Sequence, residues 1–257
     1  MSTDQTTSSQ EATSQYREIN LEGLRARNII TPHGDHTRSA EEFRMIKRPL
    51  LDNAFDSTIP NGNLIMVTSS LPGEGKTFCT INLAMSIAME LNRTLLLVDA
   101  DVSKPSVLRQ LGITSDKGLL DLLQDKNLKL ADVLIRTNIE NFSVLPSGRH
   151  HKKATELLAS EAMAELLQDM AQRYPDRIIL FDSPPLLVTT EASVLASHMG
   201  QIVMVVEAEK TPQPAVREAL SLIDSCDIVG IVLNKTTSIP GAGHYGYGYG
   251  YGYGQHN

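Results

Sequence analysis

Three short stretches concentrate residue types that can handle phosphate and a divalent cation. "SSLPGEGKTF", residues 69–78, sets two glycines and a Lys-Thr pair between an apolar run and a helix-like one. In the loop Pro72, Gly73, Glu74, Gly75, Lys76, Thr77, Phe78, the glycines let backbone N–H groups turn toward phosphate oxygens. Lys76 then reaches the β- and γ-phosphates of ATP, and the Thr77 hydroxyl is a ligand for Mg2+. The pattern G-x-x-x-x-G-K-[ST] holds except at its first position, where Ser70 stands. "LLLVDADVSKP", 95–105, ends an apolar run with Asp99 and Asp101, two carboxylates able to share one side of a strand end. Such a pair suits Mg2+ coordination and activation of a hydroxyl nucleophile. Taken alone, it equally suits a solvated acidic loop or a helix cap. "RIILFDSPP", 177–185, places Asp182 after four apolar residues, the arrangement of a Walker-B acid that holds Mg2+ directly or through water. The ordered set carries more weight than any one member.

These groups need strands to deliver them and helices to cover the strands. Apolar runs at 63–70, 93–101, 142–148, 177–185, 201–209 and 228–235 read as strands, and their non-alternating character predicts burial on both faces. Helical spacing separates them at 76–91, 118–125 and 154–174, the last stopped by Pro175 and read as scaffold. Alternation of this kind predicts a doubly wound, mostly parallel α/β sheet flanked by helices, with ligands at the carboxyl ends of the strands: the P-loop NTPase class. A further helix is expected over 39–55, capped by Ser39 with Glu42 completing a capping box, and bent or divided at Pro49. The expected organisation is a disordered segment 1–18, a helical segment 19–60, a nucleotide-binding domain 61–240 and a Gly/Tyr-rich tail 241–257.

Composition narrows the function. The net charge of −7 gives no global electrostatic case for nucleic acid. Two distant cysteines in apolar company, Cys79 and Cys226, read as buried reduced thiols of a cytosolic protein. The N-terminus lacks the pattern of a signal peptide, and no apolar run approaches the ~18 residues of a membrane span. The basic run "RHHKK", 149–153, reads as a solvated loop able to touch phosphate, and Asn234 and Lys235 end a late strand that could border a nucleotide base.

"PGEGKT", "LLLVDADVSKP" and "IILFDSPP" resemble the Walker A, A′ and B motifs of bacterial tyrosine kinases, P-loop enzymes unrelated in fold to eukaryotic protein kinases. The resemblance covers about residues 39–253 and extends to "AEEFRMIKRPLL", "ELLASEAM" and the closing "YGYGYGYGYG". It looks specifically like the tyrosine autokinases of exopolysaccharide and exosortase (PEP-CTERM) loci. It implies a catalytic set of Lys76, Asp99, Asp101 and Asp182, with Thr77, Asp99 and Asp182 as metal ligands. It implies ATP and Mg2+ as cofactors and Tyr245, Tyr247, Tyr249, Tyr251 and Tyr253 as autophosphorylation sites. Glu41, Arg44 and Lys47 fit the family's E-x-x-R-x-x-R oligomerisation motif with Lys in the last place, and a step of three residues predicts one helix face. Where many members carry Arg after D-x-D-x, this chain has Ser103 and then Lys104, which cannot form a planar bidentate fork.

The resemblance further implies a homo-oligomer, a ring, in which the tail of one subunit is phosphorylated by its neighbour. A Gly-rich tail of roughly 17 residues has an r.m.s. span of roughly 23 Å. A domain of about 220 residues has a radius of gyration of roughly 17 Å, so the tail reaches an adjacent subunit. A membrane polysaccharide chain-length (co-polymerase) protein is expected as a separate activating chain, since only a short polar segment precedes the kinase motifs. A tyrosine phosphatase is expected to reverse the modification. The expected location is cytoplasmic, peripheral to the inner membrane through that partner. Two other readings use the same residues. A partitioning- or positioning-type ATPase without kinase activity shares the acidic motifs, but its P-loop carries a further lysine where this chain has Leu71. A non-catalytic protein with a sticky Gly-Tyr tail leaves the three motifs unexplained.

Overall fold

The computed structural model describes residues 15–237 apart from 33, 35, 36 and 175. The segment 1–14, Pro175 and the whole Gly/Tyr tail lie outside the described residues.

In chain order the elements are β1 (Gln15–Arg17), α1 (Leu21–Arg25), α2 (Arg38–Ala54), β2 (Leu64–Ser69), α3 (Lys76–Ala88), β3 (Thr94–Asp99), α4 (Val107–Leu111), α5 (Leu119–Gln124), α6 (Leu130–Val133), β4 (Ile135–Thr137), β5 (Phe142–Leu145), α7 (Ala154–Leu158), α8 (Glu161–Arg173), β6 (Arg177–Asp182), α9 (Glu191–Ala196), β7 (Gln201–Glu207), α10 (Gln213–Ser221) and β8 (Val229–Asn234). They build one eight-stranded sheet in the order β1-β4-β5-β3-β6-β2-β7-β8. Every pairing is parallel except β4 with β5, so β1 and β4 run against the rest. The expected doubly wound, mostly parallel α/β class is the observed one.

β2, β3, β6 and β7 are buried on both faces, which is why their sequences run apolar without alternation. One face carries Ile65, Val67, Leu95, Leu97, Ile178 and Leu180 against α3, whose residues from Cys79 to Ala88 are all buried. The opposite face carries Met66, Leu96, Ile179 and Phe181 against α8, α9 and α10. α2 packs outside α3. Its end is tied to the sheet by the buried Gln201, whose Nε2 donates to the carbonyls of Leu50 (3.0 Å) and Gly62 (2.6 Å).

Three expectations are corrected, and a fourth, at Pro49, in part. Residues 15–17 are a strand, not part of a disordered segment 1–18: β1 pairs with β4, and Asn138 clasps the Ile19 backbone by accepting from its N–H (2.8 Å) and donating to its carbonyl (3.1 Å). α2 is capped by Thr37, whose hydroxyl accepts from the Ala40 N–H, and not by Ser39. It runs through Pro49 without dividing. The helix expected over 154–174 is two helices, because Ser160 breaks the first and caps the second through the Met163 N–H.

Candidate functional site

The carboxyl ends of β2, β3 and β6 converge in register: Val67 pairs with Asp182, and Asp182 pairs with Asp99. The loop after β2 turns through Gly73 (φ 86°) and Gly75 (φ 92°), left-handed conformations that residues with a Cβ adopt at a cost. Gly75 is the N-cap of α3 and makes no side-chain cap bond, so the first N–H groups of α3 keep the anion-binding character of a helix start.

Around this start the predicted polar residues meet. Lys76 Nζ donates to Asp101 Oδ2 at 2.6 Å and lies 3.8 Å from Asp182 Oδ2. The Thr77 hydroxyl donates to Asp182 Oδ2 at 2.7 Å, and the Thr80 hydroxyl to Asp182 Oδ1 at 2.9 Å. The Ser106 hydroxyl lies 3.0 Å from that of Thr77. Asp101 Oδ1 accepts from the Lys104 N–H, which folds the loop after β3 over the carboxylate. Asp99 Oδ2 accepts the N–H groups of Ser106 and Val107 (3.1 and 3.0 Å), so this residue does hold a helix start, while its Oδ1 is buried without a partner. Lys76, Asp99, Asp101 and Asp182 thus form one constellation. Burial pushes the Asp99 carboxyl up to about 7, helped by the charge on Asp182. Burial also pushes Asp182 up, opposed by Lys76 and by the Thr77 and Thr80 hydroxyls.

Among the described residues no three His, Cys, Asp or Glu side chains form a cage that could hold a metal unaided. The donor set present is a threonine hydroxyl on a buried aspartate and an orphaned Asp99 oxygen. It fits Mg2+ shared with a nucleotide's phosphates, the usual mode for an ion that retains water and phosphate ligands.

The remaining P-loop residues divide by role. Pro72 and Gly73 are exposed at the tip. Phe78 is partly buried and packs against the apolar layer under α3. Glu74 is 2% exposed and acts as a tie. It accepts from the N–H groups of Leu71 (2.6 Å) and Glu207 (3.3 Å) and from the Thr211 hydroxyl. Asn234 Nδ2 donates to the Glu74 carbonyl (2.8 Å) and Lys235 Nζ to the Gly73 carbonyl (2.7 Å), so the end of β8 braces the loop from below. Thr80, Ser106, Thr211 and the bracing action of Asn234 and Lys235 escape a motif reading. Their partners lie up to 162 residues away, and only the i+3 placement of Thr80 after Thr77 hints at a shared face.

The proposed oligomerisation triplet does not share one face. Arg44 pairs with Glu41 at 2.5 Å on the outside of α2. Lys47 is buried, donates to the Ser86 carbonyl (2.6 Å) and pairs with Glu90 (2.5 Å). Each step of three residues turns a helix 60° short of a full revolution, so six residues carry Lys47 about 120° from Glu41. Cys79 and Cys226 are both buried and free, and burial pushes the Cys79 thiol up to about 12. The tyrosine cluster Tyr245–Tyr253 lies outside the described residues.

Strand order, glycine turn and converging acids together define a P-loop nucleotide-binding domain. The family model for the AAA domain matches residues 62–228. Tyrosine-protein kinase YwqD of Bacillus subtilis (strain 168) is 28% identical over 224 residues, 86% of this chain and 92% of its own. Tyrosine-protein kinase Wzc of Salmonella typhimurium is 33% identical over 189 residues, but those cover 71% of this chain and 26% of Wzc. The crystal structure of the VpsO kinase domain is 30% identical, with a TM-score of 0.63, over 78% of this chain and all of that one. The chain belongs to the AAA-domain family and, within it, to the bacterial tyrosine-protein kinases. A septum-site-determining MinD complexed with Mg-ADP, at 24% identity and a TM-score of 0.55, shares the fold alone. Among the described residues no helix is long and apolar enough to cross a membrane.

Proposed function

We propose that this chain is an ATP-dependent protein-tyrosine autokinase that phosphorylates the tail tyrosines of a second copy in trans. The observation that carries the reading is the cluster of Lys76, Thr77, Asp101 and Asp182 at the start of α3, where Lys76 lies within 3.8 Å of both acids and Thr77.

The chemistry follows from these contacts. With ATP bound, Lys76 exchanges Asp101 for the β- and γ-phosphate oxygens and neutralises charge that develops there. The tyrosine oxygen forms a bond to the γ-phosphorus, the bond from that phosphorus to the β,γ-bridging oxygen breaks, and ADP departs. The phenolic proton passes to the Asp101 carboxylate, which is freed when Lys76 turns to the phosphates. Thr77, Asp182 and the open oxygen of Asp99 would hold Mg2+, which when bound supplies further neutralisation of the phosphate charge. Asn234 and Lys235 hold the loop backbone in its phosphate-facing turn.

In this reading the tail is the substrate, and the chain acts in exopolysaccharide synthesis or export. It is cytoplasmic, held at the inner membrane by a co-polymerase partner that stimulates it, and reset by a tyrosine phosphatase. Glu41 and Arg44 remain the surface pair through which copies of the chain assemble; Lys47 serves its own domain instead. A mixing experiment tests the trans step. A tagged Lys76→Met chain incubated with untagged parent and Mg-ATP is expected to gain phosphotyrosine on its tail, whereas alone it gains none. Absence of label on the tagged chain in the mixture would refute transfer between copies.

A further inference from the structure

Residues 149–153 read Arg-His-His-Lys-Lys in a chain of net charge −7, and the catalytic arrangement uses none of them. The fold brings this run to the catalytic edge of the sheet. β5 pairs in parallel with β3, with Leu145 opposite Val98. The segment therefore leaves the sheet one strand, about 4.8 Å, from where β3 delivers Asp99. It is also a built loop. The buried Asp121 accepts from the N–H of Gly118 (3.0 Å), the N–H of Arg149 (3.0 Å) and Arg149 Nε (2.5 Å). The N–H groups of Leu119 and Leu120 hold the carbonyls of Pro146 and Ser147 at 2.8 and 3.0 Å. Gly148 turns at φ 84°, and a Cβ there would lie 2.4 Å from Asp121 Oδ2. His151 Nδ1 accepts from the Lys153 N–H, closing the turn.

Asp121 answers one positive charge of the run. Lys152 and Lys153 are exposed, and no ion pair joins them to another described residue. An anchored turn with uncompensated cations beside a phosphate-transfer site suits a dianionic oxyanion. Residues 238–257 contain no acidic side chain, so their unmodified form offers nothing of that charge. Once phosphorylated, each tyrosine carries about −1.5 to −2.

We propose that the Arg149–Lys153 loop is a docking site for phosphotyrosine in the tail of a second copy. The proposal rests on the autokinase reading and extends it. Neighbouring tyrosines are two residues apart, roughly 7 Å along an extended chain, which is on the scale of one to two strand spacings. A phosphotyrosine held on the loop, which follows the strand beside β3, keeps the tail at the end of the sheet where β3 delivers its acids, and the first modification favours those that follow.

The test uses the full chain, stripped of phosphate by a tyrosine phosphatase, and two synthetic peptides of residues 240–257, one with phosphotyrosine at 249 and one without. Fluorescence anisotropy is expected to show the phosphopeptide binding at least about tenfold more tightly, with a preference that falls as salt rises. The double variant Lys152→Ser, Lys153→Ser keeps the Asp121–Arg149 anchor and should lose most of that preference while still binding ATP. Equal binding of the two peptides, or an unchanged preference in the variant, overturns the proposal. So does loss of anionic-lipid vesicle binding in the variant without any peptide preference, which would make the loop a membrane contact. The peptide brings its own phosphate, so this result is independent of whether the chain labels its tail; missing phosphotyrosine after Mg-ATP incubation would instead sink the autokinase reading.

Discussion

Asp99 is buried in surroundings that penalise its charge. It is 1% exposed, one of its oxygens is orphaned, and its carboxyl holds its proton up to about 7, against 3.8 in an ordinary setting. Since the folded state binds that proton more tightly than the unfolded one, ionising Asp99 costs stability that grows as pH rises from about 4 to about 7 and is constant above. Asp99→Asn removes the cost and still accepts from the Ser106 and Val107 N–H groups. Urea melts of nucleotide-free protein should show the variant gaining on the parent as pH rises from about 5 to about 8, by about 2–3 kcal/mol. A difference independent of pH would contradict this account. The same side chain shows how the motif reading works. Its position after a buried strand is legible from "LLLVDAD", whereas its double use, one oxygen fastening residues 106–107 and the other left open, depends on a loop no motif describes.

At the scale of elements, the phosphate loop is shaped by what braces it as much as by its own glycines. Gly75 sits at φ 92°, and a Cβ there would come within 2.2 Å of Asn234 Nδ2. Gly75→Ala must push the Asn234 carboxamide off the Glu74 carbonyl or abandon the turn, and a side chain at this left-handed φ costs on the order of 1–3 kcal/mol. Titration calorimetry is expected to show ATP binding weakened tenfold or more; unchanged affinity would contradict the bracing role. Strands with continuous apolar runs and the P-loop helix were readable because both follow local pattern. β1 was not, since three residues ("QYR") are too few for any period and its place comes from pairing with β4, 120 residues away. The break at Ser160 was hidden by helix formers on both sides, and the inward turn of Lys47 by counting steps of three where the helix advances by 3.6.

For the whole molecule, the strand that precedes the tail and the strands that carry the acids lie apart in the sheet. β8, from which the tail departs, is an edge strand, and the acids sit on β3 and β6 near the middle. Five phosphates on the tail would add roughly −8 to −10 to a chain already at −7. That charge should repel modified tails from one another and loosen the assembly. Sedimentation velocity of phosphorylated and phosphatase-treated protein should show the smaller species in the former; identical profiles would contradict it. The most direct measurement is mass spectrometry of residues 238–257 after incubation of purified protein with Mg-ATP, beside Lys76→Met. The account predicts phosphotyrosine at one or more of Tyr245, Tyr247, Tyr249, Tyr251 and Tyr253 in the parent and none in the variant. An unmodified tail in the parent, or equal modification in both, would contradict it.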